Sequence, residues 1–140
     1  MTERTKYSKK DWTWRAAGVL IVDGDKVLAF NRSKRQPGLA LPCGFVEPGE
    51  PDEKAAIREC YEETGYRVRI CEDAPYVSKV NNVTVTTYRA EIEGWQDNPS
   101  HPDEGTPEWH TVADFMERTV FYDYNLAVLK HFGVSEKREG

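Results

Sequence analysis

Cysteine is scarce in this chain, and the little there is suits neither staples nor zinc: Cys43, Cys60 and Cys71 are odd in number, with no CxxC pair and no histidine at ligand spacing. That pattern argues against a disulfide framework or a zinc finger and fits a reducing compartment, so a cytoplasmic location is expected. Long apolar runs are missing as well, and none approaches the roughly 20 residues of a membrane-spanning helix. The opening MTERTKYSKKDW is polar and basic and lacks the apolar stretch of a secretory leader. Basic excess is absent from the chain as a whole, whose formal net charge is -5. Binding a phosphate backbone needs a basic footprint, so a nucleic acid polymer is not an expected partner, whereas a small anion met by metal ions or local cations is. Neither repeats nor low-complexity tracts appear.

What is present fits one folded domain. At 140 residues, folding hides roughly two thirds of the unfolded chain's surface, enough for one core and not two. Hydrophobic residues at 39% and charged residues at 31% are ordinary for a globular protein, which leaves disorder to the ends. The expected division is an arm over residues 1–11, a domain over 12–134 and a tail over 135–140.

Hydrophobic patterning predicts mixed structure. TWRAAGVLIVD (13–23) and KVLAFNR (26–32) read as strands joined by a turn at Gly24, a predicted hairpin. SKRQPGLALPCGFVEPGE holds three prolines and three glycines around a short LAL strand, so most of it should be loop. A helix is predicted from about Pro51, as its first residue, to Thr64: Asp52 and Glu53 suit the positive end of its dipole and Gly65 lies just past its end. YRVRI, YVSKV and VTVTTYRAEI read as β-structure, the last two as a hairpin about Asn81-Asn82. A turn-rich loop, a short EWHTV strand and a final helix with Leu126, Leu129 and Phe132 at helical spacing complete an α+β domain.

The stretch GFVEPGEPDEKAAIRECYEETGY (44–66) concentrates seven acidic and two basic side chains. At about 100° per residue, Ala56, Ile57, Cys60, Tyr61 and Thr64 share one side of the helix and Glu59, Glu62 and Glu63 the other. Spacings of three and four bring Glu59 near both other glutamates, a repulsive arrangement that a hard divalent cation relieves. Oxygen-only ligands favour Mg²⁺ or Mn²⁺. The plainer alternative is a solvated acidic face balanced by Lys54, Arg58 and Arg67. Gly44, Pro48 and Gly49 turn the preceding loop so that Glu47 or Glu50 lies beside the acidic face.

Gly44, Glu50, Arg58-Glu59, Glu62-Glu63 and Gly65, at these spacings, resemble the Nudix box, the signature of the Nudix hydrolase family. All seven of its charged and glycine positions match, over a box of 23 residues, while Cys60 and Tyr66 stand where aliphatic residues are usual. The resemblance implies a Nudix fold, a mixed β-sheet sandwiched between helices. It also implies metal-dependent hydrolysis of a nucleoside diphosphate-linked substrate by water attack at phosphorus.

Residue roles follow from that resemblance. Glu59 and Glu63 are the expected primary ligands of Mg²⁺ or Mn²⁺, Glu62 a further or water-bridged one, and Arg58 orients Glu50 or Glu59. Gly44 and Glu50 support the network. Leu41-Pro42-Cys43-Gly44 replaces the common Leu-Pro-Gly-Gly; Cys43 can still offer its backbone carbonyl to metal, but is strained if the position demands positive φ. DEGTPEW resembles the loop that supplies an extra ligand or general base, and Glu104 is the candidate, ahead of Glu108, Asp103, His101 and His110. Trp109 and Phe30, with Tyr88 and Tyr124, are candidate base-stacking rings, each with core packing as its alternative. Asn125 is the candidate to read a base edge, as in the mutator-type branch.

Marks of the ADP-ribose, NADH and coenzyme A branches are not evident. The expected substrate is therefore a nucleoside triphosphate or modified nucleotide, with ADP-ribose or a nucleotide sugar as the alternative. A non-catalytic nucleotide-sensing or interaction domain is the alternative of another class. Homodimers are common in the family, and monomer or homodimer both stay open.

Overall fold

The computed structural model describes residues 14–95 and 104–135. Its elements are β1 (Arg15–Leu20), β2 (Val22–Asp23), β3 (Lys26–Arg32), β4 (Gly38–Ala40), β5 (Cys43–Phe45), α1 (Asp52–Thr64), β6 (Tyr66–Ile70), β7 (Tyr76–Val80), β8 (Val83–Trp95), β9 (Gly105–Thr111), α2 (Val112–Arg118) and α3 (Tyr122–His131). The expected arm, residues 1–11, and His101 and Asp103 lie outside the described residues.

Two sheets share the chain. One runs β5-β1-β8-β6 with β7 also on β8, and its β1–β8 pair is parallel. The other runs β2-β3-β4, with β9 antiparallel to β3 over the whole of β3. Side chains alternate across each strand. Val19 of β1 and Leu28 of β3 enter a core with Ala55, Ala56 and Cys60 of α1, while Leu20 and Ala29 enter a second core with Phe115 of α2 and Val128 and Leu129 of α3. The strands are thus held between α1 on one face and α2 and α3 on the other, the expected α+β sandwich. Small residues let α1 lie close to the strands, and each fully buried Val or Leu contributes about 1.5–3 kcal/mol by leaving water.

The first predicted hairpin is corrected. Only Val22–Asp23 folds back on β3; β1 leaves to pair with Cys43–Phe45 and with Thr84–Arg89 in the other sheet. The segment 43–45, read as loop, is a strand because β1 offers it an open edge. Helix α2 was not anticipated: Thr111 caps it by accepting a hydrogen bond from the Asp114 N–H at 3.1 Å. The Asn81-Asn82 hairpin is present, both residues carrying the positive φ (51° and 68°) of a two-residue turn.

Helix α1 begins at Asp52, one residue later than expected. Pro51 is extended (φ -65°, ψ 144°) and acts as the cap, its carbonyl accepting from the Ala55 N–H. Gly65 stops the helix in the left-handed region at φ 80°, donating its N–H to Tyr61 O at 2.9 Å. The chain then turns directly into β6.

Candidate active site

Arg58 is the centre of the acidic stretch. Its Nε and Nη2 donate to the two oxygens of Glu50 at 2.8 and 2.9 Å, Nη1 donates to Glu59 Oε1 and Glu62 Oε1 at 2.9 and 3.0 Å, and Nη2 also donates to Phe45 O at 3.0 Å. One guanidinium therefore ties the loop, strand β5 and two turns of α1 together, and its planar fork suits this as an ammonium would not. Burial alone would make Arg58 easier to deprotonate, but Glu50, Glu59 and Glu62 reverse that and hold its proton more tightly than usual. Burial also works against ionised Glu50; the Arg58 contacts and the Glu47 N–H outweigh it and keep the carboxyl below its usual range.

Glu59 is 7% exposed despite belonging to the acidic side of the helix. It reaches in because Gly44 has no side chain: a Cβ there would stand 2.1 Å from the Glu59 carboxyl carbon. Glu63, one turn on, accepts from the Cys43 N–H at 3.0 Å. Burial pushes the Glu63 carboxyl well above the usual range, and the negative charges of Glu59 and Glu104 push it further; the Cys43 N–H and Arg32 pull the other way. Glu104 thus acts electrostatically on the box helix although it lies about forty residues further along the chain. Its loop is fixed by the Ser33 N–H donating to Glu104 O at 3.0 Å.

Glu59, Glu63 and Glu104 present only oxygen donors and repel one another, the electrostatic setting that a hard cation relieves. Among the described residues, no group of three or more His, Cys, Asp or Glu side chains is placed to hold a metal ion by itself. An open site is what Mg²⁺ uses, with one or two carboxylates completed by water and substrate phosphate. The donor set therefore fits such an ion.

Cys43 does not carry the feared strain. It lies in β5 without a positive φ, and its side chain is on the α3 side of the sheet, where it affects Tyr124. Tyr124 is hydrogen-bonded to Thr87, and burial raises its hydroxyl pKa. Cys60 faces the core, where burial pushes its thiol up to about 12.

The candidate base-stacking rings pack within the fold. Phe30 is 5% exposed, with its ring edge against Gly105, so it is a packing residue. Trp109 packs on the α1 core and donates Nε1–H to the Tyr66 hydroxyl at 3.3 Å, so its polar edge is committed within the fold. Tyr88 is likewise buried in that core. Asn125 is also inside, at 1% exposure: Nδ2 donates to Thr119 Oγ1 at 2.6 Å, Thr119 in turn donates to Leu39 O, and Asn125 Oδ1 has no partner among the described residues.

Glu108 accepts from Asn31, Thr106 and His110, the last at 2.7 Å, and chiefly the His110 bond holds its carboxyl below the usual range. These contacts tie Glu108 and His110 to each other. Sequence reasoning missed Arg32, at the end of β3, whose guanidinium lies 5.4 Å from the centre of the Phe121 ring; neither residue stands in a motif that singles it out.

A carboxylate-lined helix wedged beneath a mixed sheet, entered through a glycine loop, defines a Nudix domain. The family model of the NUDIX domain matches residues 12–132, and the chain belongs to that family. It is 41% identical over 59 residues to the ADP-sugar pyrophosphatase of Mus musculus and 38% identical over 56 residues to a putative 8-oxo-dGTP diphosphatase of Bacillus subtilis (strain 168). Each match takes in 40% of this chain but only 27% and 38% of those proteins, so the chain spans well under half of either. An RNA pyrophosphohydrolase of Roseobacter denitrificans is 28% identical over 142 residues, covering 82% of this chain and 88% of that one. Among solved structures, a NUDIX hydrolase from Nitrosomonas europaea superposes with a TM-score of 0.68 at 18% identity, covering 84% of this chain and 86% of that one. A C. elegans Ap4A hydrolase superposes at 0.64 with 25% identity, covering 85% and 96%.

Proposed function

We propose that this chain is a divalent-metal-dependent Nudix pyrophosphohydrolase acting on a nucleoside triphosphate or modified nucleotide. The observation that carries the reading is the carboxylate face of α1, where Glu59 fills the space left by Gly44, Glu63 accepts from the Cys43 N–H, and Arg58 holds Glu59 and Glu62 together. Glu59 and Glu63 would hold the metal, with Glu62 as a further candidate ligand and the Cys43 backbone beside them; such an ion would screen the diphosphate and lower the pKa of the attacking water.

The chain's own groups do the rest. Gly44 leaves room for the Glu59 carboxylate, and Arg58 orients it while holding Glu50 and Glu62 in place. Glu104 accepts the proton as a water oxygen bonds to phosphorus, and the bridging P–O bond breaks with its electron pair going to the leaving phosphate. Asn125 stands as the base-reading candidate on the resemblance alone, its side chain being 1% exposed and bonded to Thr119 inside the fold.

A nucleotide-sugar or ADP-ribose substrate is the second reading, favoured by the identity to the mouse ADP-sugar pyrophosphatase. A non-catalytic sensing domain is disfavoured because Glu59, Glu62 and Glu63 are all retained. Product release should be measured with Mg²⁺ on nucleoside triphosphates, 8-oxo-dGTP, ADP-ribose, nucleotide sugars, dinucleotides and 5′-triphosphorylated RNA. Turnover that is lost in Glu63→Gln supports the proposal. No turnover on any substrate, with Mg²⁺ binding unchanged in Glu63→Gln, overturns it; near-normal activity in Glu104→Gln removes only the assignment of the base.

A further inference from the structure

Arg15, the first residue of β1, grips the box loop from outside the acidic face. Strand alternation puts it on the side of the sheet shared by Ala17 and Val19, the side that α1 covers, so its guanidinium meets the start of the helix. There Nε and Nη2 both lie 3.0 Å from Asp52 Oδ1, and Nη2 also donates to Glu50 O at 3.4 Å. A cation gains nothing from the positive end of a helix dipole, so Asp52 and the Glu50 carbonyl are what hold it there. The backbone of the same residue fastens the other end of the loop, its carbonyl accepting from the Val46 N–H at 2.9 Å. Trp14 packs beside it, its ring nearly perpendicular to that of Phe45 with centroids 5.5 Å apart.

Glu50 is consequently held at each of its polar groups. Its N–H donates to Glu47 O, its carboxylate accepts from the Glu47 N–H and from Arg58, and its carbonyl accepts from Arg15. Arg58 in turn donates to Glu59 and Glu62. Direct contacts therefore run from β1 through Glu50 and Arg58 to the carboxylate face.

We propose that Arg15 is a positioning residue for the carboxylate centre: it sets the backbone of Glu50, Glu50 sets the plane of Arg58, and Arg58 sets Glu59. The effect on turnover rests on the hydrolase reading, whereas the effect on Arg58 does not. A guanidinium suits the task because its fork reaches a carboxylate and a carbonyl together. The Arg15 and Asp52 side chains are 37% and 29% exposed, so the pair adds little to overall stability and its loss acts through placement.

Two measurements on the full chain test this. The first needs no substrate: NMR of the isotope-labelled protein follows solvent exchange of the Arg58 Nε–H, the donor to Glu50 Oε2 at 2.8 Å, assigned by its loss in Arg58→Lys. Arg15→Ala should speed that exchange about 10-fold as the loop opens locally. The second is steady-state kinetics with Mg²⁺ on the best substrate. Arg15→Ala should lower kcat about 10-fold, the lower end of what the outer partners of metal ligands contribute, with KM within about twofold of the parent. Arg15→Lys should restore only part of kcat, and Asp52→Asn, which keeps an acceptor, should lower it less than Arg15→Ala does. In a Glu50→Gln background, Arg15→Ala should cost less than about twofold further, because the route to Glu59 is already cut. Arg69→Ala, which removes an equal charge from an exposed ion pair with Glu91, should change neither measurement.

Unchanged Arg58 exchange in Arg15→Ala overturns the proposal, as does a parent Arg58 Nε–H that exchanges as freely as a solvated one. So does a kcat that stays at the parent value, or an undiminished further loss in the Glu50→Gln background. Faster Arg58 exchange in Arg15→Ala together with no turnover of any substrate by the parent sinks the hydrolase reading and keeps the positioning role. Thermal unfolding of each variant separates misplacement from misfolding, and if Arg15→Ala does not fold, the same measurements on Arg15→Lys and Asp52→Asn decide.

Discussion

The Glu59 carboxylate fills the space that a side chain at residue 44 would need, and Gly44→Ala tests this with a single methyl group. The added carbon would stand 2.1 Å from the Glu59 Cδ and Oε2 and 2.5 Å from Oε1, whereas ordinary contact begins at 3.4 Å. Gly44 does not have a positive φ, so the backbone accepts alanine and the conflict is purely steric. The Glu59 carboxylate must move by about 1.3 Å, which breaks its bond to Arg58 Nη1. Overpacking of this kind costs about 1–3 kcal/mol. A displacement of about 1 Å in a catalytic group lowers kcat about 100-fold. Urea unfolding and steady-state kinetics on the best substrate measure the two effects. Gly94→Ala is the control: nothing lies within 4 Å of its Cβ, and stability should change by less than about 0.5 kcal/mol. If the loss runs through Glu59, adding Gly44→Ala to Glu59→Ala should cost less than about 0.5 kcal/mol in activation free energy. Full activity in Gly44→Ala refutes the reasoning.

Arg58→Met leaves Glu50, Glu59 and Glu62 without their shared cation and should cost about 3 kcal/mol in chemical denaturation, with Arg58→Lys regaining less than half; a loss under about 0.5 kcal/mol would contradict the hub. Glu50 titrates below its unfolded value, so its contribution is present above about pH 4.3 and disappears as pH falls through the folded value. Glu50→Gln should flatten the acid limb of the stability profile, and an unchanged limb argues against the pairing. Cys60, raised to about 12 by burial, should resist a thiol reagent at pH 8 until the chain unfolds, whereas half-buried Cys71 reacts in the folded protein; equal native rates would show that the core opens readily.

The acidic helix was legible because its signals are local. Asp52 and Glu53 mark its start and Gly65 its end, and the glutamate spacing alone puts three carboxylates on one side. The Asn81-Asn82 turn was legible for the same reason. The destination of β1 was not: its parallel partner β8 lies more than sixty residues away, and an apolar β-branched run is compatible with a hairpin or with a central strand. Helix α2 is only seven residues long, and Thr111 with Asp114 is a weak signature without a longer apolar period. Within the site, Glu104 could be proposed from its loop, but aromatic rings do not announce whether they stack on a ligand or fill a core. Phe30 and Trp109 do the latter. Arg32 was overlooked because a basic residue at a strand end looks like any solvated cation until its glycine neighbours and Phe121 are placed around it.

The parallel pairing of β1 with β8 also sets an order of events during synthesis. The box loop and α1 leave the ribosome ahead of β8, so the acidic helix emerges before the strand that completes its sheet and well before Glu104. Until then Arg58 offsets the charge of Glu50, Glu59 and Glu62 by contacts spanning no more than thirteen residues. The nascent chain can therefore hold its most repulsive segment together locally, and the site itself closes only after about three quarters of the chain has been made.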